Sequence, residues 1–171
     1  LVARHFSPDE LAVVTGDADA GKAFADLPFD HLLFTGSTSV GREVALAAAR
    51  NLTSVTLELG GKTPVIIDAG CDLEAAARSV VMGKMLNAGQ TCIAPDYALV
   101  PFSRLEEFVG AVTRAAGELF PRLGDNPDYS SIASEHHFRR LRNILDDARS
   151  QGGRIVEINP AAETLQDEAR K

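Results

Sequence analysis

Two thiols and one unexpectedly placed acid are the residues of this chain best suited to covalent chemistry. Cys92 follows Gly89-Gln90-Thr91 in a polar loop, whereas Cys71 lies in Gly70-Cys71-Asp72 at the approach to a helix. A free cysteine acts as a small buried hydrophobe or, when partly exposed with a stabilised thiolate, as a nucleophile. Local sequence leaves both readings open for both residues. Glu58 interrupts the apolar run Val55-Thr56-Leu57-Glu58-Leu59, and a lone acid there is costly to bury unless it is paired or belongs to a site. It is the candidate base to accompany a nucleophilic cysteine; the alternative is an outward-facing strand acid or a structural hydrogen-bond acceptor. Two cysteines this far apart support neither a disulfide framework nor a C-x-x-C metal site, so no metal is expected.

The glycines offer a second kind of chemistry. Gly36 and Gly41 enclose Ser37-Thr38-Ser39-Val40 between an expected strand and helix, where backbone amides can meet a phosphate. A P-loop would require Lys and then Ser or Thr after the second glycine, and Arg42-Glu43 stand there instead. Gly61-Lys62-Thr63 ends like a P-loop but has Thr56 in the first glycine position and Pro64 where a helix should begin. G-x-G-x-x-G is absent too, so a dinucleotide would have to bind otherwise than at the usual Rossmann turn. Without other motifs, the pair Gly36 and Gly41 reads equally as turn and packing residues.

The surrounding pattern supplies elements to hold these residues. Leu11 to Thr15 reads as a β-rich run, and Asp17 caps an Ala-rich helix to Leu27. His31 to Thr35 is a strand, Ser37-Thr38-Ser39 caps a helix reaching about Arg50, and Val55 to Leu59 is a strand. Gly60 to Pro64 breaks the pattern, which implies a boundary or crossover. Val65 to Asp68 follows as a strand, Asp72 caps a helix to about Leu86, and Asn87 to Cys92 forms a loop. A strand over Tyr97 to Val100 leads to Ser103 and Glu106, which read as a capping box for a helix through Phe108, Val112 and Leu119. Pro121 to Tyr129 is loop. A helix from about Ser134 to Ser150 stops at Gly152-Gly153, and Arg154 to Ile158 reads as a final strand. Strands separated by helices point to a parallel α/β sheet, which places ligands beyond the carboxyl ends of its strands.

Composition narrows the function classes. The 171 residues are 45% hydrophobic and 24% charged, with 17 Lys and Arg against 24 Asp and Glu for a net charge of -7. That is ordinary globular material and a poor electrostatic match to nucleic acid or an anionic membrane. No apolar run reaches the roughly 18 to 20 residues needed to cross a bilayer, and no basic-then-apolar leader opens the chain, so a cytoplasmic setting is expected. The start at Leu1 without Met and the polar ending at Lys171 suggest a fragment of a longer protein.

Three ordered motifs then carry a resemblance. Phe34-Thr35-Gly36-Ser37-Thr38-Ser39-Val40-Gly41, Leu57-Glu58-Leu59-Gly60-Gly61-Lys62-Thr63-Pro64 and Asn87-Ala88-Gly89-Gln90-Thr91-Cys92-Ile93-Ala94-Pro95-Asp96-Tyr97 resemble signatures of aldehyde dehydrogenases. The Cys-Ile-Ala-Pro-Asp-Tyr ending most resembles the class 3 branch and its bacterial coniferyl aldehyde dehydrogenases. The resemblance implies a partial α/β, parallel-sheet aldehyde dehydrogenase fold. Residues 1–59 would be the end of a Rossmann-like nucleotide-binding domain, and residues 60–171 the start of a catalytic domain.

It also implies roles. Cys92 would be the nucleophile that forms a thiohemiacetal and then a thioester, and Glu58 the base that activates water, helped by a raised proton affinity near an apolar strand end. Gly36, Ser37, Thr38, Gly41, Leu59 and Gly60 would serve NAD or NADP. Gly89 and Gln90 would shape the turn that aims Cys92. Lys62 and Asn87 would be structural, and Cys71, His5, His31, His136 and His137 match no signature residue. The substrate would be an aromatic or long-chain aldehyde such as coniferyl aldehyde, the intact protein a homodimer, and this piece inactive by itself. The rivals are an acylating semialdehyde dehydrogenase, which needs no water-activating base, and a non-catalytic module that keeps the fold.

Overall fold

The computed structural model describes residues 1–124 and 126–164. It separates into a compact unit of Leu1–Gly60 and a second that begins at Gly61. Residue 125, in the expected loop, and residues 165–171, at the end of the expected second domain, lie outside the described residues.

In the first unit, helix α1 (Ala18–Ala25) opens on Asp17, whose carboxylate accepts the amides of Asp19 and Ala20 at 3.1 Å each. Strand β1 (His31–Gly36) leads through Ser37 into helix α2 (Thr38–Arg50), which returns the chain to strand β2 (Ser54–Leu59). The Ser37 hydroxyl accepts the Val40 amide, satisfying one donor that a helix start leaves open. β1 and β2 pair in parallel from His31 opposite Ser54 to Gly36 opposite Leu59, as a helical crossover requires. Leu32, Val44, Ala47 and Ala25 are buried together with half-buried Phe34, Val55 and Leu57 packed on them, so the core lies between this strand pair and its helices. The opposite face carries His31, Leu33, Thr35, Ser54, Thr56 and Glu58, all exposed. There the His31 ring nitrogens reach the hydroxyls of Ser54 at 2.7 Å and Thr56 at 3.1 Å.

The second unit repeats the strand-helix-strand pattern. β3 (Thr63–Ile66) and β4 (Pro95–Leu99) pair in parallel, joined through helix α3 (Leu73–Met85), whose first amides are capped by Asp72. The register shifts between Thr63 and Pro64, where Pro64 has no amide to give the ladder. Helix α4 (Leu105–Leu119) packs on α3, with Ala77 and Ala111 fully buried among Ile67, Leu73 and Phe108. Small residues at that seam let the helix backbones approach closely. Helix α5 (Glu135–Ser150) is capped by the Ser134 hydroxyl and buries no side chain completely.

Three expectations are corrected. Leu11 to Thr15 is not a strand: it has no ladder partner among the described residues, and Val13 and Val14 are exposed. Ser103 does not cap α4. It lies inside a short 3-10 turn (Phe102–Arg104), and Glu106 instead takes both ends of the Arg154 guanidinium at 2.6 and 2.9 Å. Arg104 organises this start, donating to the carbonyls of Ala69 and Cys71 at 2.8 and 2.9 Å and gripping Glu107. Arg154 to Ile158 is not a strand either; side chains hold it, through Arg154 and through Ile158 against Val81, Ala115 and Ala116. Among the described residues no helix is long and apolar enough to cross a membrane, and no cluster of three or more His, Cys, Asp or Glu could hold a metal.

Candidate active site

The six residues expected to serve a dinucleotide gather at the carboxyl end of the β1–β2 pair. Gly36 and Leu59 are register partners, with Ser37, Thr38 and Gly60 following directly. Gly41 is buried one turn into α2. A Cβ built on it would stand 2.7 Å from Leu59 Cδ2 and 3.5 Å from the Phe34 ring, so the bare glycine lets α2 press onto the end of β2. Ser37 capping and the first helical bond from Gly41 to the Ser37 carbonyl occupy the third and fourth amides of the helix start. Thr38 and Ser39 are the first two residues of the helix, at its positive end, where amides have no intrahelical partner. A close-packed strand end, a glycine turn and the positive end of a helix fit a pyrophosphate, so these residues could hold NAD or NADP.

Glu58 sits one residue before Leu59 and projects from the opposite, exposed face of β2, with Thr35 as its register partner. Its carboxylate has no hydrogen-bond or ion-pair partner among the described residues. Within this unit Glu58 is exposed.

The two thiols have contrasting surroundings. Cys71 is half-buried against the Ile67, Leu73 and Phe108 core, whereas Cys92 is exposed. The loop before Cys92 contains an uncommon run: Asn87, Ala88 and Gly89 all take left-handed φ, at +52°, +53° and +77°. The Asn87 amide donates to the Gln90 carbonyl at 3.2 Å, while the Gln90 backbone amide and Nε2 both donate to the Asn87 carbonyl at 3.0 Å. Behind the loop, a Cβ on Gly61 would lie 3.6 Å from the Cys92 carbonyl oxygen. The next residue, Lys62, forms an ion pair with Asp96. That lysine's hydrogen bond holds the Asp96 carboxyl below the usual carboxylate range, and Lys84 adds to the effect.

Lys62 and Asn87, expected to be structural, tie the Asp96 carboxylate and the Gln90 carbonyl respectively. The Gln90 side chain also has distant partners: Nε2 donates to the Ser131 carbonyl at 3.0 Å, and Oε1 accepts the Ala133 amide at 2.8 Å. Nothing in the local sequence marks that contact, because it joins residues more than forty apart. Asn and Gly in Asn87-Ala88-Gly89 were the available signal for left-handed backbone; Ala88 gave none.

Residues 3–167 match the aldehyde dehydrogenase family. A probable coniferyl aldehyde dehydrogenase of Pseudomonas aeruginosa is 56% identical over 158 residues, covering 92% of this chain and 33% of that protein. A coniferyl aldehyde dehydrogenase of Pseudomonas sp. strain HR199 is 51% identical, covering 98% of this chain and 35% of its own length. Among solved structures, substrate-bound AldH of Staphylococcus aureus superposes with a TM-score of 0.82 at 37% identity, over 87% of this chain and 33% of that one. A Mycobacterium tuberculosis aldehyde dehydrogenase complexed with NAD+ gives 0.75 at 36% identity, over 83% and 30%. The chain spans about a third of the length of the curated relatives it matches.

Proposed function

The chain belongs to the aldehyde dehydrogenase family, and from that premise we propose that the intact protein oxidises an aldehyde to its carboxylic acid with NAD or NADP. Residues 1–59 would contribute the end of the nucleotide-binding domain and residues 60–171 the start of the catalytic domain. The observation that carries the reading is the exposure of Cys92, three residues after a left-handed turn, while Cys71 is packed against a core. Identities of 50 to 56% to coniferyl aldehyde dehydrogenases support coniferyl aldehyde as the substrate.

In this reading the Cys92 thiolate adds to the aldehyde carbon, and the new oxyanion is met by the Cys92 backbone amide. Bound NAD or NADP supplies the hydride acceptor that turns the thiohemiacetal into a thioester. Glu58 takes a proton from water, hydroxide adds to the acyl carbon, and the carbon–sulfur bond breaks to release acid and regenerate the thiolate. Gly36, Ser37, Thr38 and Gly41 seat the pyrophosphate, and Leu59 and Gly60 present backbone toward the nicotinamide. The reading is completed by a cytoplasmic homodimer whose partner is a small aldehyde.

Steady-state formation of reduced cofactor by the intact protein on coniferyl aldehyde, octanal and benzaldehyde tests it. Coniferyl aldehyde should be the best of the three, and Cys92→Ala should abolish turnover. A Cys92→Ala variant with the wild-type rate would remove the nucleophile from the proposal. For Glu58→Gln, a burst of reduced cofactor followed by slow turnover is expected, and an unchanged steady-state rate would take Glu58 out of water activation.

A further inference from the structure

The hydroxyls that open α2 form a chain. Ser37 Oγ accepts the Val40 amide at 3.3 Å and lies 3.0 Å from Ser39 Oγ, with both serines exposed. A hydroxyl has one hydrogen and two acceptor positions. The Val40 amide fills one acceptor position of Ser37. If Ser37 donates to Ser39, its hydrogen is spent; if Ser39 donates, both acceptor positions of Ser37 are filled and its hydrogen is left for a third group. An anion offers only acceptors, so an anion at this helix start selects the arrangement in which Ser39 donates.

Ser37 stands on backbone that is fixed without the help of Ser39. A Cβ on Gly36 would lie 2.5 Å from the Phe34 ring and one on Gly41 would lie 3.5 Å from it, so that ring fills the space against both glycines. The Gly41 amide closes on the Ser37 carbonyl at 2.8 Å. Among the described residues the Ser39 side chain has Ser37 as its one hydrogen-bond partner. Alanine forms helix at least as well as serine, so folding of α2 does not call for this hydroxyl.

We infer that Ser39 is a positioning residue for the dinucleotide: its hydroxyl donates to Ser37 Oγ and so commits the Ser37 hydrogen to the pyrophosphate. This role rests on the proposed use of Ser37 for NAD or NADP, and it extends that use to a side chain that acts through Ser37. Hydrogen bonds in a chain also polarise one another, strengthening each by about 10–30%. Losing the Ser37 bond to a charged group should weaken binding by about 10-fold or more, and losing its backing by about 2- to 4-fold.

Calorimetric titration of the intact protein with NAD+ and NADP+ tests this role, read on whichever the wild type binds more tightly. Ser37→Ala should raise Kd by about 10-fold or more and Ser39→Ala by about 2- to 4-fold, whereas Ser39→Thr, which keeps the hydroxyl, should bind as the wild type does. Ser39→Ala should add nothing in the Ser37→Ala background, because its effect passes through that one oxygen. ADP-ribose, which has the pyrophosphate but no nicotinamide, should give the same ratios, and the thermal midpoint of unliganded Ser39→Ala should not fall. Wild-type affinity in Ser39→Ala, an equal loss in both backgrounds, a loss shared by Ser39→Thr, or one matched by a lowered midpoint would overturn the inference. Failure of the wild type to bind either dinucleotide, or wild-type affinity in Ser37→Ala, would remove the cofactor reading itself; a weakened Ser37→Ala beside a normal Ser39→Ala removes only the relay.

Discussion

Gly89→Ala and Gly152→Ala make a matched pair for measuring how tightly the turn before Cys92 is built. Both glycines have left-handed φ, +77° and +80°, so a Cβ costs either one about 1–2 kcal/mol of backbone strain. Stiffening of the unfolded chain returns about 0.4–1 kcal/mol in each case. The surroundings differ. A Cβ on Gly152 meets nothing within 4 Å, whereas on Gly89 it would stand 3.1 Å from the Lys84 carbonyl oxygen and 3.2 Å from Lys84 Cε. The lysine stem can swing away, but the carbonyl belongs to the last turn of α3 and cannot. Crowding against it adds about 1–2 kcal/mol. Gly89→Ala should therefore be destabilised by about 1 kcal/mol or more beyond Gly152→Ala, read as the difference in urea midpoints of the intact proteins at equal m. Peptide mass spectrometry after brief iodoacetamide treatment should show a changed Cys92 alkylation rate in Gly89→Ala alone. Equal midpoint shifts in the two variants would refute the contact argument.

Three further outcomes follow from the packing and the charges. Gly41→Ala drives a methyl to within 2.7 Å of Leu59 Cδ2; a helix-propensity gain of about 1 kcal/mol offsets the crowding, so stability should change little while NAD+ titration shows weaker binding. Unchanged affinity would separate Leu59 from the cofactor site. Glu163 accepts the amides of Gly124 and Leu123 at 3.0 and 2.7 Å, with Arg122 beside it, and these bonds hold its carboxyl below the usual range. Its contribution is complete above the ordinary value of about 4.3 and is lost as pH falls through the lowered folded value. Glu163→Gln should thus flatten the acid limb of thermal midpoint against pH, and a superimposable limb would refute the linkage. Phe108→Ala, at the buried α3–α4 seam, should cost about 3–5 kcal/mol in denaturant unfolding, and a loss under about 1 kcal/mol would mean that the seam is not a closed core.

Helix starts were the most readable part of the sequence. Asp17, Ser37, Asp72 and Ser134 each cap a helix with their own side chain, because capping is settled within three residues of chain. The same logic failed at Ser103, where Arg104 reaches back to Ala69 and Cys71, more than thirty residues away, and sets the start of α4 from outside. Leu11 to Thr15 and Arg154 to Ile158 have strand-like composition, but a strand exists only with a partner ladder, and composition cannot supply one. At the candidate site, the motif positions of Gly36, Gly41, Glu58 and Cys92 could be read from sequence. The left-handed Ala88 and the reach of Gln90 to Ser131 could not, since one is a strained backbone state and the other a contact across the unit.

The last two residues of β2 divide their labour by parity. Along β2, Glu58 projects to one side and Leu59 to the other, against Gly41 of the helix that carries the proposed cradle. Inserting or deleting a single residue between Ser54 and Leu57 would exchange those sides, swinging the acid toward α2 and a leucine onto the face that Glu58 now occupies. The pleat of one short strand thus makes the sides of Glu58 and Leu59 insensitive to a change of two residues but not of one.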